Sequence, residues 1–179
     1  MDIKTQRLVL RQLCPDDAGW ITEEIAKPEV HQWLTSVPCP FQRAHAREFI
    51  ASFAAEPGAR IIVENGRRIG LVSVKPTSQS AGENETSPEL GYWLVQSAWA
   101  RGIMTEASSA LIDWYFQNFD QSVGSGWVEG NARSEQVLSK LGFIPTGETR
   151  PEPSPFKGAD VPVVRAELTK AAWAARHHP

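Results

Sequence analysis

The sequence predicts a mixed α/β fold, in which helices flank one sheet of about six to seven strands. Apolar residues alternate along some segments, which is typical of strands, and recur every three to four residues along others, which is typical of helices. One stretch, 89–107, passes from the first pattern to the second, so a strand there leads directly into a helix. The early strands are expected to be antiparallel, with parallel strands around that central helix. Because the chain shows no repeat and no linker-like composition, residues 1–179 are expected to form one domain.

The N-terminal half begins with a strand and continues through helices to a hairpin. Alternating leucines predict the strand over Arg7–Leu13. The predicted helices run from Pro15 to Lys27, from Pro28 to Leu34 and from Arg43 to Phe53. A hairpin then joins Arg60–Glu64 to Arg68–Val74, because Asn65-Gly66 is a strong signal for a tight two-residue turn. The polar stretch 76–88 is expected to be a long exposed loop.

The stretch Glu89–Ala107, which reads ELGYWLVQSAWARGIMTEA, organises the chain. Its first part alternates as a strand, and from Thr105 to Phe116 the apolar residues follow helical spacing. The turn between them, Gln96–Gly102, ends in a glycine beside the helix start. Such a connection presents unpaired backbone N–H groups at the positive end of the helix dipole, where anions and above all phosphates bind. An ordinary connection, in which the glycine supplies only backbone freedom, is the alternative.

The C-terminal part alternates strands with helices. A strand over Ser122–Val128 contains Gly124 and Gly126, and glycines in a strand often mark the close approach of another backbone or of a ligand. Asn131 is a predicted helix cap, with Ser134 in the first helical turn. The remaining predicted elements are a helix ending at Gly142, a strand over Phe143–Thr149, an irregular proline-rich segment over Arg150–Lys157, a strand over Val161–Leu168 and a helix over Lys170–Arg176.

The composition is that of an ordinary globular protein and argues against several classes of function. Of the 179 residues, 41% are apolar and 22% are charged, so disorder is not expected. A net charge of −3 gives no electrostatic footprint for nucleic acid, and no apolar run is long enough to span a membrane. The N-terminal residues lack the pattern of a secretory signal. Cys14 and Cys39 are therefore expected to be free buried thiols of a cytoplasmic protein, and no metal site is expected.

Three blocks of the chain resemble the GNAT N-acetyltransferases, and more narrowly their RimJ/RimL-like branch. The blocks are TQRLVLRQL, ELGYWLVQSAWARGIMTEA and NARSEQVLSKLGFIPTGE, and in that order they frame the chain from Thr5 to Glu148. The resemblance implies a GNAT-like sheet that is splayed at its central strand. It also implies a loop that binds the pyrophosphate of acetyl-CoA, the co-substrate of the family.

The pyrophosphate loop of the family has the pattern R/Q-x-x-G-x-G/A, which falls on residues 99–104. Gly102 matches the pattern, and Trp99 resembles the tryptophan that is common in the RimJ/RimL branch. Ala100 stands where that branch often has glycine, and Met104 replaces the small last residue, where a larger side chain could crowd the cofactor. These two departures are expected to affect the affinity for the cofactor more than its identity.

The resemblance also implies which residues hold the cofactor. The backbone of residues 93–95 is expected to pair with the pantetheine arm as an added strand would. Backbone N–H groups over residues 101–105 are expected to cradle the pyrophosphate, and Arg101 can add charge. Asn131 corresponds to a residue that hydrogen-bonds the pantetheine or orders the loop. The implied cofactor-binding residues are Trp93, Leu94, Val95, Arg101, Gly102, Ile103, Met104, Thr105, Asn131 and Ser134.

Acetyl transfer from a thioester to an amine requires a neutral amine, a polarised carbonyl group and a proton for the departing thiolate. Glu89 and Glu152 are candidates for the base, and the alternatives are a salt bridge at the strand edge, a solvated loop charge, or water acting as the base. Ser134 is placed by the resemblance near the thiol sulfur as a proton donor, although a plain helix start would also favour serine there. Tyr92 and Tyr115 are alternative phenolic acids, and both also fit the core.

Three hypotheses of different class follow. The first is an N-acetyltransferase that acts on a primary amine, either a protein N-terminus or a small molecule. The second is a non-catalytic acyl-CoA-binding module, and the third is a structural protein with a degenerate site. The acceptor is expected to bind between the early helices and residues 150–159, which carry no recognisable motif. Neither nucleic acid nor a membrane is an expected partner, and the family suggests a homodimer.

Overall fold

One mixed β-sheet with helices on both faces forms the fold. A computed structural model describes residues 1–54, 58–75 and 88–177 of the chain, so residues 76–87 of the predicted loop lie outside the described residues. Within these ranges there are eight strands and six α-helices. The strands are β1 (Ile3–Lys4), β2 (Leu8–Gln12), β3 (Ala59–Glu64), β4 (Arg67–Lys75), β5 (Glu89–Leu94), β6 (Val123–Val128), β7 (Ile144–Ser154) and β8 (Ala159–Leu168). The helices are α1 (Asp17–Ile25), α2 (Pro28–His31), α3 (Arg43–Ser52), α4 (Ile103–Asn118), α5 (Ala132–Leu141) and α6 (Lys170–His177).

The strand order in the sheet is β1-β2-β3-β4-β5-β6-β8-β7. Neighbouring strands are antiparallel except β5 and β6, which are parallel and are connected through α4. The predicted mixed architecture is therefore confirmed, including the parallel pair around the central helix. The strand count is one higher than the range predicted, because the two-residue β1, which pairs with Leu10 and Val9 of β2, is too short to leave an alternating pattern.

The hairpin between β3 and β4 has the predicted turn. Asn65 has a φ angle of +49° and Gly66 one of +74°, so both central residues are left-handed. Two left-handed residues define the type I′ turn, whose twist matches that of the flanking strands. The Asn-Gly signal is confirmed because this turn requires the two residue types that adopt positive φ most readily.

The prediction that Arg150–Lys157 is irregular is wrong for its first five residues. Strand β7 continues to Ser154, and only 155–158 form a turn. The reason is that β7 is an edge strand with β8 as its sole neighbour in the described sheet. Pro151 and Pro153 are two residues apart, so their nitrogens face the same side of the strand, and a missing N–H group costs nothing on an unpaired edge. Glu152, predicted to lie in a loop, is therefore a strand residue opposite Val161.

Two hydrophobic clusters lie on opposite faces of the sheet. Alternation decides which face each residue joins: Ile61 and Leu71 belong to one cluster, and their neighbours Ile62 and Val72 to the other. Helices α4, α5 and α6 cover the second face, whereas α1, α2 and α3 cover the first. Trp93 of β5 packs with the first group, and its ring lies 5.3 Å from that of Trp20 on α1.

Strands β5 and β6 separate almost as soon as they meet. Their residues are all described, and the only backbone register pair between them is Glu89 with Gly124. Near this point the Gly124 N–H group donates to the Pro88 carbonyl at 2.8 Å, and the Ser125 hydroxyl donates to the Leu90 carbonyl at 2.9 Å. Beyond it the strands diverge, so the splayed central strand is confirmed.

Cys14 and Cys39 are free thiols, but both are exposed. The prediction of burial is wrong because Cys14 lies in the turn between β2 and α1, and Cys39 lies in the loop between α2 and α3. Among the described residues, no helix is long and apolar enough to cross a membrane.

Candidate active site

The divergence of β5 and β6 opens a cleft of about 480 Å³. Its walls come from β5, from the segment leading into α4, from β6 and from the first turns of α5, with side chains of β7 and β8 at one end. The volume is in the range of small-molecule sites. The cleft lies outside the carboxyl end of a parallel strand, which is the usual place for a ligand in such sheets.

The start of α4 forms one end of the cleft. The helix begins at Ile103, two residues before the predicted Thr105, and Gly102 caps it with a φ angle of +73°. No side chain caps this helix end, so the first backbone N–H groups of α4 have no partner within the helix. Gly102, Ile103 and Thr105 all line the cleft. The left-handed glycine and the open helix end together form a corner with the strand–turn–helix geometry predicted, which suits an anion.

The N-terminal segment of the chain holds this corner in place. The Arg7 guanidinium donates from Nη1 to the Arg101 carbonyl at 3.1 Å and from Nε to Glu106 Oε2 at 2.7 Å. The Thr5 hydroxyl donates to Glu106 Oε1 at 2.5 Å. Burial alone would raise the pKa of Glu106, but the hydrogen bonds from Thr5 and Arg7 outweigh it and lower the pKa. Glu106 therefore stays ionised and fixes the first turn of α4 to the start of β2.

The Arg101 side chain is directed to a partner on β3. Its Nη2 donates to both carboxylate oxygens of Glu64, at 2.8 and 3.0 Å. The predicted role of Arg101 as an added charge for the phosphate therefore competes with this ion pair.

Ala100 adopts a left-handed conformation with a φ angle of +57°. A side chain with Cβ is strained there by roughly 1 kcal/mol, whereas glycine is not. We expect Ala100→Gly to raise the free energy of unfolding by about 1 kcal/mol, which corresponds to roughly 2–4 °C in the melting temperature for a chain of this size. Thermal unfolding followed by circular dichroism measures the change.

Ala174→Gly is the matched control for this prediction. Ala174 is exposed and lies within α6, where glycine destabilises a helix by about 1 kcal/mol. The two substitutions should therefore shift the melting temperature in opposite directions. A lower melting temperature for Ala100→Gly would contradict the assignment of strain at residue 100.

The Met104 side chain is buried in the core. It is 5% exposed, and its sulfur accepts a hydrogen bond from the Ser108 hydroxyl at 3.4 Å, one turn further along α4. Met104 packs with the cluster that includes Leu111 and Ile112. A large side chain at this position was expected to crowd the cofactor. The structure does not support this expectation, because the helix turns the Met104 side chain toward the core.

The backbone of β5 faces the cleft at alternate residues. The Leu90 carbonyl accepts from Ser125 of β6, whereas the Val95 N–H group donates to the Ile69 carbonyl at 3.0 Å on the β4 side. By the alternation of a strand, Tyr92 and Leu94 turn their backbone groups toward β6 and the cleft, whereas Trp93 turns its backbone groups toward β4. Leu94 is thus the residue of the predicted set 93–95 whose backbone points into the opening.

Ser134 faces Tyr92 across the cleft. The Tyr92 hydroxyl oxygen lies 2.8 Å from Ser134 Oγ and 3.3 Å from the Ser134 carbonyl oxygen. Burial raises the pKa of Tyr92 to about 12, despite the opposing hydrogen bond with Ser134, so the phenol is protonated at neutral pH. The Asn131 side chain accepts from the Ser134 N–H group at 3.3 Å, which confirms the predicted helix cap.

Tyr115, the other phenol considered, lies in the core. It is 2% exposed and stacks on Phe119 with ring centroids 5.0 Å apart. Tyr115 is therefore remote from the chemistry of the cleft, and packing is its role.

Glu89 and Glu152, predicted separately as bases, meet at one arginine. Arg165 of β8 forms an ion pair with Glu89 through Nη2 and lies 3.6 Å from Glu152 Oε1 through Nη1. All three side chains line the cleft, and Glu89 begins β5, whereas Gly102 follows the end of that strand. The predicted alternative of a strand-edge salt bridge is therefore present at Glu89, within the candidate site.

One of the two glycines of β6 is closely approached by β8. A Cβ at Gly126 would lie 2.8 Å from the Val164 carbonyl oxygen and 2.9 Å from Val163 Cγ1. A Cβ at Gly124 would lie 3.9 Å from Nη2 of Arg165, which is an ordinary van der Waals distance. The predicted close approach is therefore confirmed at Gly126, where the approaching groups are the backbone and a valine side chain of β8.

The early helices and the β7–β8 hairpin meet beside the acidic end of the cleft. The Ser36 N–H group donates to the Pro153 carbonyl at 2.8 Å, and the rings of His31 and Phe156 are 5.2 Å apart. Trp33 lines the cleft and lies under the Lys157 ammonium group, 5.5 Å from the centre of its ring. These are the segments predicted to form the acceptor end.

Three arginines of the site were missed from the sequence. Arg7 holds the loop, Arg165 joins the two glutamates, and the guanidinium carbon of Arg133 lies 4.5 Å from the centre of the Trp99 ring. Each acts on residues distant in sequence, so no local pattern reveals it. Only Arg133 had a signal in the sequence, because it directly precedes the candidate residue Ser134.

Residues 7–144, more than three quarters of the chain, match the family model of the acetyltransferase (GNAT) domain. The chain belongs to the GNAT acetyltransferase family. The family resemblance predicted from the three sequence blocks is therefore confirmed.

Relatives of this GNAT chain cover nearly its full length. It is 27% identical over 177 residues to the "Uncharacterized N-acetyltransferase p20" of Bacillus licheniformis, covering 95% of this chain and 97% of that protein. It is 25% identical over 154 residues to the "Putative ribosomal N-acetyltransferase YdaF" of Bacillus subtilis (strain 168), covering 81% and 82%. A crystal structure of AAC(6')-Ib in complex with ribostamycin and coenzyme A has the same fold, with a TM-score of 0.79, 20% identity, and coverage of 97% of this chain and 99% of that one.

As a GNAT enzyme, the chain is an acyltransferase with acetyl-CoA as its co-substrate. The residues of the cleft fit that molecule. The open helix end at Gly102 suits a diphosphate, and the unpaired edge of β5 suits the amide groups of a pantetheine arm. The site of this GNAT domain thus offers groups suited to both the diphosphate and the pantetheine arm of acetyl-CoA.

Proposed function

We propose that this protein transfers the acetyl group of acetyl-CoA to a primary amine by direct attack within the β5–β6 cleft. The observation that carries the proposal is the layout of charge along the cleft. Arg101 and Arg133 line the cleft beside the turn that follows β5, whereas Glu89, which begins β5, and Glu152 meet at Arg165. An anionic cofactor and a cationic acceptor would therefore enter from opposite ends and meet between them.

The cofactor is held by backbone groups more than by side chains. The first N–H groups of α4, from Ile103 to Thr105, would bind the diphosphate, and Gly102 lets the chain turn closely beneath it. Tyr92 and Leu94 would offer their backbone groups on β5 to the pantetheine arm. The Leu94 carbonyl already accepts a hydrogen bond from the Trp99 indole at 2.9 Å. The Leu94 N–H group would therefore be the one that polarises the carbonyl oxygen of the thioester.

The acidic end of the cleft would receive the amine. A primary amine is mostly protonated at neutral pH, so it must bind as a cation and then lose a proton. Glu89 and Glu152 are the two candidates for this task, and both contact the Arg165 guanidinium. Arg165 would orient both carboxylates toward the acceptor.

Ser134 would supply a hydrogen bond to the departing thiolate. Either oxygen of the Tyr92–Ser134 pair could be the donor of this hydrogen bond. With the more acidic phenol as the donor, the serine proton would be free to point into the cleft. Bound acetyl-CoA supplies the acetyl thioester that the amine attacks, and its C–S bond breaks as the C–N bond forms. The ammonium group would first lose one proton to a carboxylate, and the nitrogen would lose a second proton as the amide forms. The second proton balances the one gained by sulfur, so Ser134 needs only to relay or stabilise it.

Thiol release with a panel of acceptors tests the proposal. The panel pairs peptides that have a free N-terminus with the same peptides blocked by acetylation, and adds small-molecule polyamines and aminoglycosides. We expect release of coenzyme A with at least one unblocked amine, together with a product whose mass has increased by one acetyl group. The acceptor that is turned over decides between a protein N-terminus and a small molecule.

Two results would contradict the proposal in different ways. Absence of thermal stabilisation at high acetyl-CoA would exclude cofactor binding at the cleft. Stabilisation without thiol release from any amine would instead favour a non-catalytic acyl-CoA-binding module.

A further inference from the structure

Arg133 lies beside the turn that leads into α4 and lines the same cleft as Gly102. It is the second residue of α5, and its guanidinium lies over the Trp99 ring, with 4.5 Å from its carbon to the ring centre. Trp99 directly precedes the Ala100–Gly102 turn. The indole N–H group of Trp99 donates to the Leu94 carbonyl, which fixes the ring against the end of β5. Arg133 thus packs against a ring that is itself held by a hydrogen bond, and both side chains line the cleft.

The charge of Arg133 has no acidic partner within the part of the chain that the structure describes. The other two arginines at this corner are paired: Arg101 with both carboxylate oxygens of Glu64, and Arg7 with Glu106. Lys140 also lines the cleft, but it is seven residues further along α5, which is roughly 10 Å away. Arg133 is therefore the cation best placed to meet an anion at the start of α4.

We propose that Arg133 binds the diphosphate of coenzyme A. The assignment rests on the proposed function, since it takes the cleft as the coenzyme A site. A guanidinium that stacks by its face keeps its N–H edges available, and those edges match two phosphate oxygens at once. Stacking on Trp99 also restricts the side chain before the ligand arrives, so less conformational entropy is lost on binding. The sites on α4 and α5 would then hold the diphosphate between them.

Calorimetric titration of three ligands tests this assignment without turnover. Coenzyme A carries the diphosphate and the 3′-phosphate, dephospho-coenzyme A carries the diphosphate alone, and pantetheine carries neither. We expect Arg133→Ala to weaken binding of the first two by roughly 10- to 30-fold, the value of a charge-assisted contact. Binding of pantetheine should stay unchanged. Added salt should weaken coenzyme A binding less in the variant than in the wild type.

Two further variants serve as controls. Arg43→Ala removes the same charge from an exposed position on α3, and it should bind all three ligands as the wild type does. Arg133→Lys keeps the charge but not the planar group, so it should restore part of the lost affinity. The melting temperature of each variant verifies that it is folded.

The outcomes separate this assignment from the proposed function. If the wild type binds coenzyme A and Arg133→Ala binds it equally well, the assignment is wrong while the proposed function stands. An equal loss for pantetheine would mean that Arg133 only supports the shape of the cleft. A loss confined to coenzyme A, with dephospho-coenzyme A unaffected, would place the contact on the 3′-phosphate and overturn the diphosphate assignment. No binding of coenzyme A to the wild type would overturn both.

Discussion

Replacing Asp17 by alanine is expected to lower the free energy of unfolding by about 2–3 kcal/mol, because it removes a buried carboxylate that is hydrogen-bonded to two partly exposed arginines. Asp17 is buried at the start of α1 and accepts two hydrogen bonds from Arg11, at 2.6 and 2.8 Å. It also accepts from the Cys14 N–H group at 2.9 Å and from Arg68 at 3.2 Å. One carboxylate therefore joins α1 to β2 and to β4. Its removal leaves two arginines beside the core without their shared partner.

The same carboxylate gives the stability a specific pH dependence. Burial alone would raise the pKa of Asp17, but the hydrogen bonds from Arg11 and from the Cys14 N–H group outweigh it and lower the pKa to about 2. A carboxyl group with a lowered pKa stabilises the fold above its ordinary value near 3.8 and ceases to do so as the pH falls toward 2. The contribution at neutral pH is roughly 2–3 kcal/mol. In Asp17→Asn, the free energy of unfolding should not show this part of the decrease between pH 4 and pH 2.

Urea unfolding at neutral and acid pH measures both effects. Asp16→Ala is the matched control, since Asp16 is the adjacent acid, is exposed and makes no capping hydrogen bond. Its substitution should change the stability by less than about 0.5 kcal/mol. An equal effect of the two substitutions would show that the Asp17 network does not contribute as argued.

Replacing Ser134 by alanine is expected to lower kcat by about 100-fold and to leave the affinity for coenzyme A within a few-fold of the wild type. The alanine removes the hydroxyl group that would face the departing thiolate but keeps the helix start, because the cap is made by the Asn131 side chain and the backbone N–H group of residue 134. Kinetics with the acceptor identified by the panel, together with a direct titration of coenzyme A, separate the two quantities.

Tyr92→Phe tests whether the phenol acts through Ser134. The phenylalanine ring fills the same space but cannot hold the Ser134 hydroxyl group, so kcat should fall less than in Ser134→Ala, by about 10-fold. Because the two groups act as a pair, the double variant should be no slower than Ser134→Ala alone. Ser139→Ala, an exposed serine on the same helix, should retain wild-type kinetics. Wild-type kcat in Ser134→Ala would exclude the assigned role.

Features that depend on neighbouring residues could be predicted from the sequence. The Asn65-Gly66 turn, the turn that ends at Gly102 and the Asn131 cap were all predicted, because backbone preferences and local hydrogen bonds act over a few residues. The resemblance to the family was inferred from three such segments and from their order along the chain. The error at 150–154 has the opposite origin. Whether a proline-containing segment can be a strand depends on whether it lies at a sheet edge, and strand order is a property of the whole fold.

The sequence alone thus determined the mixed α/β architecture, the strand–turn–helix corner and the family. The tertiary structure decided which side chains meet in the cleft. Glu89 and Glu152 were separate candidates until the register of β6, β7 and β8 brought Arg165 between them. Arg133 met Trp99 in the same way, across an opening that exists only because β5 and β6 diverge. The physical reason is that periodicity assigns a residue to a face of its own strand or helix, whereas its partner on another element depends on long-range packing.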